Sequence, residues 1–255
     1  MHCRPYPRAR DGVGSRQCDC SLGTSDKAPA PAAPHCRGAK ASRRRYRRLS
    51  EYRGGPSALR LCTALHALGY RHATTLVPPP GRSGVLVAAR HRLRGHGAVD
   101  TRLPEPYRMV SVDFATFRLI GIYMPSLLAK IPYWGALITA LSSQSANRTL
   151  AMGDFNTCRA YLDEVGAIDR TAHYMDAIEQ IGFRDVWRHR YPDRREYSWF
   201  STRRNGFRID HAFLSPDLAA CAGTVHYSHE ERIAGLSDHS PLILELPADN
   251  PAGST

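Results

Sequence analysis

A layered α/β domain is the fold class this sequence predicts, and three observations predict it. The chain has 255 residues, 42% hydrophobic and 23% charged, which are ordinary globular proportions. From about Leu49 onward, short apolar runs alternate with segments whose apolar residues recur at helical spacing. No run approaches the roughly 18–20 consecutive apolar residues of a membrane span, and the composition fits no collagen-like, coiled-coil or disulfide-framework class. A compact chain of this length buries roughly 70–75% of its unfolded surface, enough for a full core.

The elements follow in order. Pro56 to Leu68 places Ala58, Leu59, Cys62 and Leu65 on one helical face, with Gly69 as the stop. Ala73–Val77 reads as a strand, Pro-Pro-Pro-Gly as a turn, and Gly84–Ala89 as the next strand. Met109–Phe114 and Thr116–Tyr123 form two strands across a tight turn. Pro132–Gln144 and Thr171–Ile181 are amphipathic helices. Strands recur at Thr149–Met152, Tyr197–Ser201, Arg208–Leu214, Thr224–Ser228 and Pro241–Leu246.

Residues 1–48 stand apart. Their large apolar residues are Met1, Tyr6, Val13, Leu22 and Tyr46, without a helix or strand period, and 28–34 is an Ala-Pro linker. Such a segment cannot bury enough apolar surface to offset its chain entropy and is expected to be disordered. The run Arg43–Arg48 reads first as a solvated tail, or else as a polyanion-binding arm. Domain boundaries are therefore set at 1–48, 49–247 and a tail at 248–255.

Charge and cysteines divide at the same place. Residues 1–60 carry 14 Lys+Arg against 4 Asp+Glu, a net +10, whereas 61–255 carry 21 against 19, a net +2. The overall +12 is thus weak evidence for a nucleic-acid partner. The seven cysteines show no paired CxxC spacing; Cys62 and Cys221 adjoin apolar residues and are expected as buried thiols. That usage, without a secretory leader, favours a reducing, cytoplasmic location.

Polar residues gather where strands end. Asp154 and Asn156 leave a strand two residues apart, which puts both on one face. Arg208 and Asp210 share a face in Arg-Ile-Asp-His, and Asp238 precedes His239 in Ser-Asp-His-Ser-Pro. Glu51 and Tyr123 are further polar residues beside apolar segments. Hard oxygen ligands such as Glu51, Asp154 and Asp238 suit Mg²⁺, which keeps waters and a substrate phosphate in its shell. A carboxylate behind a histidine, here Asp210 with His239, fixes the imidazole and stabilises its charged form. Taken singly, each motif is also a turn, a capping loop or a half-exposed strand. Their conjunction points to metal-assisted phosphoester hydrolysis.

Gly-Asp-Phe-Asn at 153–156, Ser-Trp-Phe at 198–200, Arg-Ile-Asp-His at 208–211 and Ser-Asp-His-Ser-Pro-Leu at 237–242 resemble the endonuclease/exonuclease/phosphatase superfamily. The stretch from Ile181 to His189, Gly-Ile-Tyr-Met-Pro at 121–125, Gly-Val-Leu-Val at 84–87 and Leu-Ser-Glu-Tyr at 49–52 resemble its exonuclease III-like branch. The resemblance covers about 49–247. It implies a four-layer sandwich, two mixed sheets between outer helices, with the site at their shared edge. It also implies that Glu51, Asp154 and Asp238 serve a Mg²⁺ ion (or Mn²⁺), and that Asp154 activates water or serves the leaving group. Asn156 and Tyr123 would hold the phosphate, and His239, oriented by Asp210, would contact its oxygens. Trp199, Arg203 and Arg208 would meet the substrate, Trp199 having core packing as an equal reading.

The sequence departs from that family at its start. The family opens with an apolar strand ending in a metal-site asparagine, and here no Asn precedes Asn147. An out-of-frame or misassigned start would produce the abrupt change of texture near Leu49. The expected substrate is DNA, cleaved at abasic sites or 3′ ends in DNA repair, by a monomer with no membrane association. Arg184, Arg188, Arg190, Arg194, Arg195, Arg203 and Arg204 bracket Ser-Trp-Phe and could follow a phosphate backbone. The alternatives are a small phosphoester substrate and a catalytically defective family member.

Overall fold

The computed structural model describes residues 15–16, 45–143 and 146–246. Two sheets face one another. The first has the order β1-β3-β4-β2, from β1 (Ser15–Arg16), β2 (Tyr46–Tyr52), β3 (His72–Leu76) and β4 (Gly84–Ala89). Helix α1 (Pro56–Ala67) carries the chain from β2 across to β3, so that both run antiparallel to β4 on its two sides.

The second sheet has six strands in the order β5-β6-β7-β8-β12-β9. In chain order these are β5 (Gly95–Ala98), β6 (Met109–Asp113), β7 (Arg118–Tyr123), β8 (Thr149–Asp154), β9 (Arg184–Asp185) and β12 (Asp210–Leu214). Helix α2 (Ile131–Ser142) is the crossover that lets β7 and β8 pair in parallel. Helices α3 (His173–Gln180) and α4 (Val186–Arg190) flank β9. A hairpin of β10 (Trp199–Phe200) and β11 (Gly206–Phe207) precedes β12. Helix α5 (Pro216–Ala219), β13 (Val225–Tyr227), α6 (Glu230–Ile233) and β14 (Leu242–Leu244) complete the described chain, β13 pairing with β14.

Strand alternation builds the layers. In β4, Val85, Val87 and Ala89 face Val110, Val112 and Leu119 of the other sheet, while Leu86 and Ala88 face Ala58, Leu65 and Tyr70 on the α1 side. On the far side, Met109, Ile120, Ile122, Ala151 and Phe213 pack under Trp134, Leu137, Met175 and Ile178 of α2 and α3. The result is the expected four-layer α/β sandwich. Its six-stranded sheet is mixed, and the pairings of the four-stranded sheet are all antiparallel.

Several sequence expectations need correction. Part of the Arg43–Arg48 run, read as a solvated tail, is strand: β2 starts at Tyr46 and takes in Arg47 and Arg48, so the boundary at 48 cuts a strand. Ser15–Arg16 pairs with Leu76 and Thr75, whereas the rest of the stretch up to residue 44 expected to be disordered lies outside the described residues. Leu59 is 50% exposed, because the buried stripe of α1 runs through Ala58, Cys62 and Leu65. Cys221 is exposed, whereas Cys158 is buried. The 248–255 tail lies outside the described residues. Among the described residues no helix is long and apolar enough to cross a membrane.

Arg208, expected to meet substrate, is instead fully buried. Its Nε donates to Asp163 Oδ1 at 2.7 Å and its Nη2 to Asp185 Oδ2 at 2.7 Å. Arg188 reaches the same Asp163 oxygen at 2.5 Å, and His211 Nδ1 lies 3.3 Å from Asp185 Oδ2. This network ties the loop around Asp163 to β9 and the start of β12. Burial works against the charge of Asp163 and Asp185, but Arg208 outweighs it and holds both carboxyls below the usual range, Asp185 well below. Removing one partner strands the others. Arg208→Met is expected to lower unfolding stability by about 3–5 kcal/mol at pH 7, read by urea denaturation. Because both folded-state values are depressed, the network's contribution is complete above about pH 4 and is lost as pH falls through them. Stability of the parent chain that stays constant on acidification below pH 4 would contradict this role.

Candidate active site

One rung of the six-stranded sheet organises the site. Tyr123 pairs with Asp154 across the parallel β7–β8 ladder, and Asp154 pairs with Asp210 across the antiparallel β8–β12 ladder. Residues on one rung point to one face, so all three side chains emerge together at the edge of the inter-sheet layer. Beyond the rung the three segments stay tied: Met124 N–H donates to Asp154 O, and Phe155 N–H to Ile209 O, both at 2.9 Å.

His239 approaches from the segment before β14. Its Nδ1 lies 2.7 Å from Asp210 Oδ2, the expected carboxylate–imidazole pair. Asp210 is held in turn by Arg48 and by its own backbone: Tyr227 Oη donates to its carbonyl at 2.5 Å and Ser198 Oγ accepts its N–H at 3.2 Å. Burial disfavours charged His239, but the Asp210 carboxylate, by charge and hydrogen bond, raises it to about 10, with Asp154 and Asp238 adding to the effect. Burial likewise disfavours charged Asp210, and its His239 partner overrides it and lowers that carboxyl. Asp154 moves the other way: burial first, then the neighbouring Asp210 charge, push it up to about 7.

Asn156 sits at φ 48, the left-handed region that asparagine tolerates. That turn folds it back over Asp154: its N–H donates to Asp154 Oδ1 at 2.8 Å, and its Nδ2 reaches Asp154 Oδ2 at 3.2 Å and Met124 O at 2.8 Å. Buried Lys130, which the sequence reading missed, donates to the Asn156 carbonyl and to Asp169 Oδ2 and so fixes this turn. Glu51 also has a positive φ, 57, at the irregularity where β2 slips register against β4 between Leu49 and Tyr52. The bulge aims the Glu51 carboxylate at the site, where Tyr123 Oη donates to its Oε1 at 3.2 Å. Burial and then the Glu51 charge push the Tyr123 phenol up to about 12. It remains a proton donor at neutral pH.

The three carboxylates expected to serve a metal are not assembled as one cage. Among the described residues no group of three or more His, Cys, Asp or Glu side chains is placed to hold an ion. Both Asp154 oxygens face Asn156, and Asp238 Oδ2 lies 3.4 Å from Trp199 Nε1. This donor set still fits Mg²⁺, which takes one or two carboxylates and keeps waters for the rest of its shell. Trp199 also bridges to His239 through the backbone, so it borders the site. Arg203 stands exposed in the β10–β11 turn, and Arg208 is removed from the site by its ion pairs.

Two further arginines at the site escaped the sequence reading. Arg108 lies over the Tyr123 ring, 4.6 Å from its centroid, and pairs with Glu105. Arg48 donates to Ile122 O at 2.7 Å and lies 3.9 Å from Asp210. A charge run next to a linker gave no sign of that placement.

The dyad carries a direct expectation. His239 should titrate near pH 10 in imidazole NMR spectra, and Asp210→Asn should bring it towards the ordinary value of about 6.5. Because the folded-state value is raised, the pair's stabilisation is complete below about pH 6.5 and is lost as pH rises through about 10. A His239 resonance titrating near 6.5 in the parent chain would contradict the pairing.

Comparisons with known proteins agree with this architecture. Residues 28–239 match the model of the Endonuclease/Exonuclease/phosphatase family. A 3′-5′ exonuclease (NExo) from Neisseria meningitidis superimposes with a TM-score of 0.70 at 22% identity, covering 80% of this chain and 89% of that one. An AP endonuclease from Archaeoglobus fulgidus does so at 0.70 and 21%, with the same coverage. A Neisseria 3′ phosphatase NExo variant bound to a product DNA hairpin gives 0.69 at 21%, again over 80% and 89% of the two chains. Recombination repair protein 1 of Drosophila melanogaster is 25% identical over 205 residues; the match takes in 69% of this chain and 29% of that longer protein. With the family model spanning most of its length, and the acidic rung and histidine pair in place, the chain belongs to the endonuclease/exonuclease/phosphatase family of hydrolases.

Proposed function

We propose that this chain is a divalent-metal-dependent phosphodiesterase that cleaves DNA, at abasic sites, at 3′ ends or at both. One observation carries the reading: Asp154 and the Asp210–His239 pair stand together at one strand end, flanked by the donors Asn156 and Tyr123. That is an anion-binding, proton-transferring constellation, and three of the similar proteins carry nuclease or DNA in their descriptions. Among the exposed arginines, Arg194, Arg195, Arg203 and Arg204 flank or turn the β10–β11 hairpin and supply a sequence-independent grip on a phosphate backbone, whereas Arg184 stands opposite Leu214, at the far end of β12 from Asp210. Arg188 leaves that set, since it is buried against Asp163.

Glu51, with Asp238, would hold Mg²⁺ or Mn²⁺, which when bound neutralises the phosphate and favours departure of the leaving oxygen. Every other role belongs to side chains. Asp154, poised near neutrality, takes the proton of the attacking water at its carboxylate. His239, protonated at both ring nitrogens below about pH 10, keeps Nδ1–H on Asp210 and offers Nε2–H to a phosphate oxygen. Asn156 Nδ2 and the Tyr123 hydroxyl, which here donate to Asp154, Met124 O and Glu51, would turn to further phosphate oxygens as neutral donors once substrate is bound.

End-labelled duplex DNA with one abasic site tests this. Incision should require Mg²⁺, stop with EDTA, and fall by about 10²–10⁴-fold in Asp154→Ala and in His239→Ala. It should also weaken steeply with salt. Salt-independent action on a small phosphodiester in place of DNA would move the substrate to a small phosphoester. Incision unaffected by Asp154→Ala would overturn the assignment of the site.

A further inference from the structure

The side chain of Arg48 is built into the sandwich. Strand β2 alternates, so Arg47 turns outward to Tyr70 Oη at 2.8 Å, and Tyr46 and Arg48 turn inward between the sheets. An arginine in an inter-sheet layer needs space and partners, and two glycines supply the space. A Cβ at Gly121 would meet Arg48 Cγ at 3.2 Å and Val85 Cγ1 at 2.8 Å. One at Gly153 would strike the Ile122 carbonyl and come within 2.9 Å of Arg48 Nη1. The aliphatic stem therefore runs over the one bare position of β7 that faces it, and the guanidinium ends beside the bare position of β8. Only 10% of the side chain is exposed.

Its partners lie at the acidic rung. Nη1 donates to the carbonyl of Ile122, the residue before Tyr123, and Nη2 faces Asp210 Oδ1 at 3.9 Å. Asp154 is the next residue on that rung and belongs to the same electrostatic group. A buried guanidinium cannot shed its charge, so it acts as a permanent cation set against two carboxylates. Its location matters for any metal: the carboxylates that Arg48 faces are Asp154 and Asp210, whereas Glu51 projects from the bulge of the same strand and faces Tyr123.

We propose that Arg48 is a positioning residue that supplies a built-in cation to the Asp154–Asp210 pair, confining the divalent ion to the Glu51 side of the site. The proposal deepens the metal-dependent reading given above and rests on it. Through Asp210 it also fixes the orientation of His239, without touching substrate itself. A consequence is that the site takes one divalent ion, because a second ion drawn to the Asp154–Asp210 pair would meet the guanidinium's positive charge.

The test is Mn²⁺ binding by the full chain without DNA, measured from the loss of the free-ion electron paramagnetic resonance signal. The parent should bind one Mn²⁺. Arg48→Met keeps the stem and removes the charge. Arg48→Gln also keeps a donor for Ile122 O and decides the matter if the Met variant does not fold. Both should bind a second Mn²⁺, or the first on the order of tenfold more tightly, as expected from deleting one charge several ångströms away. Arg48→Lys should restore the parent stoichiometry. Equal binding by the parent and a folded neutral variant would overturn the proposal, as would two Mn²⁺ bound by the parent. A parent that binds none while Arg48→Met binds one would sustain the Arg48 assignment and overturn the metal-dependent reading. No binding by either would overturn both.

Discussion

Two carboxylates stand side by side on one rung of a buried sheet edge, and much of the site is arranged around that fact. Asp154 and Asp210 are direct cross-strand partners, a placement in which like charges repel. Charges about 5 Å apart in an effective dielectric of about 20 repel by about 3 kcal/mol. The surroundings divide the two chemically. Asp210 receives His239 and faces Arg48 and becomes the more acidic partner, and Asp154 receives neutral donors from Asn156 and becomes the less acidic one. Environments that push paired groups apart in this way are what acid–base chemistry requires.

A second buried ion network shows the contrast. Arg208 with Asp163 and Asp185 is fully enclosed, and its carboxyls are held firmly ionised. It joins β9, the loop before α3 and the entry to β12, and so determines where Asp210 begins its strand. The rung at Asp154 is less completely neutralised, and its Asp210 end lines the cavity between the sheets while Asp154 itself is buried. One network makes a scaffold, and the other leaves charge available for an ion and a phosphate. The same residue types serve both purposes, separated by access to solvent and by the completeness of their pairing.

The strand-end motifs were legible because their chemistry is local. Gly153 to Asn156 turns at a strand end whether or not the partner strands are known, and Asp210 and His239 fall into register as soon as the strands pair. Element positions followed from periodicity to within a residue or two for the longer segments, as at Gly84–Ala89. Arg208 was misread because alternation was carried back from β12, which starts only at Asp210; Arg208, two residues earlier, lies in a loop and donates its N–H to Asp163 O instead. Arg48 was illegible for a different reason. What makes room for it, Gly121 and Gly153, lies far along the chain on the opposite sheet, and a run of arginines beside an Ala-Pro linker has every mark of a solvated segment. Short strands such as β9, Arg184–Asp185, carry too few residues to show a period at all.

Anomalous diffraction from crystals soaked in Mn²⁺ would show whether the site divides into a guanidinium-filled end and a metal-accepting end. A single anomalous peak is expected next to the Glu51 carboxylate, with Arg48 still bonded to the Ile122 carbonyl. A peak between Asp154 and Asp210, with the Arg48 side chain displaced, would contradict it.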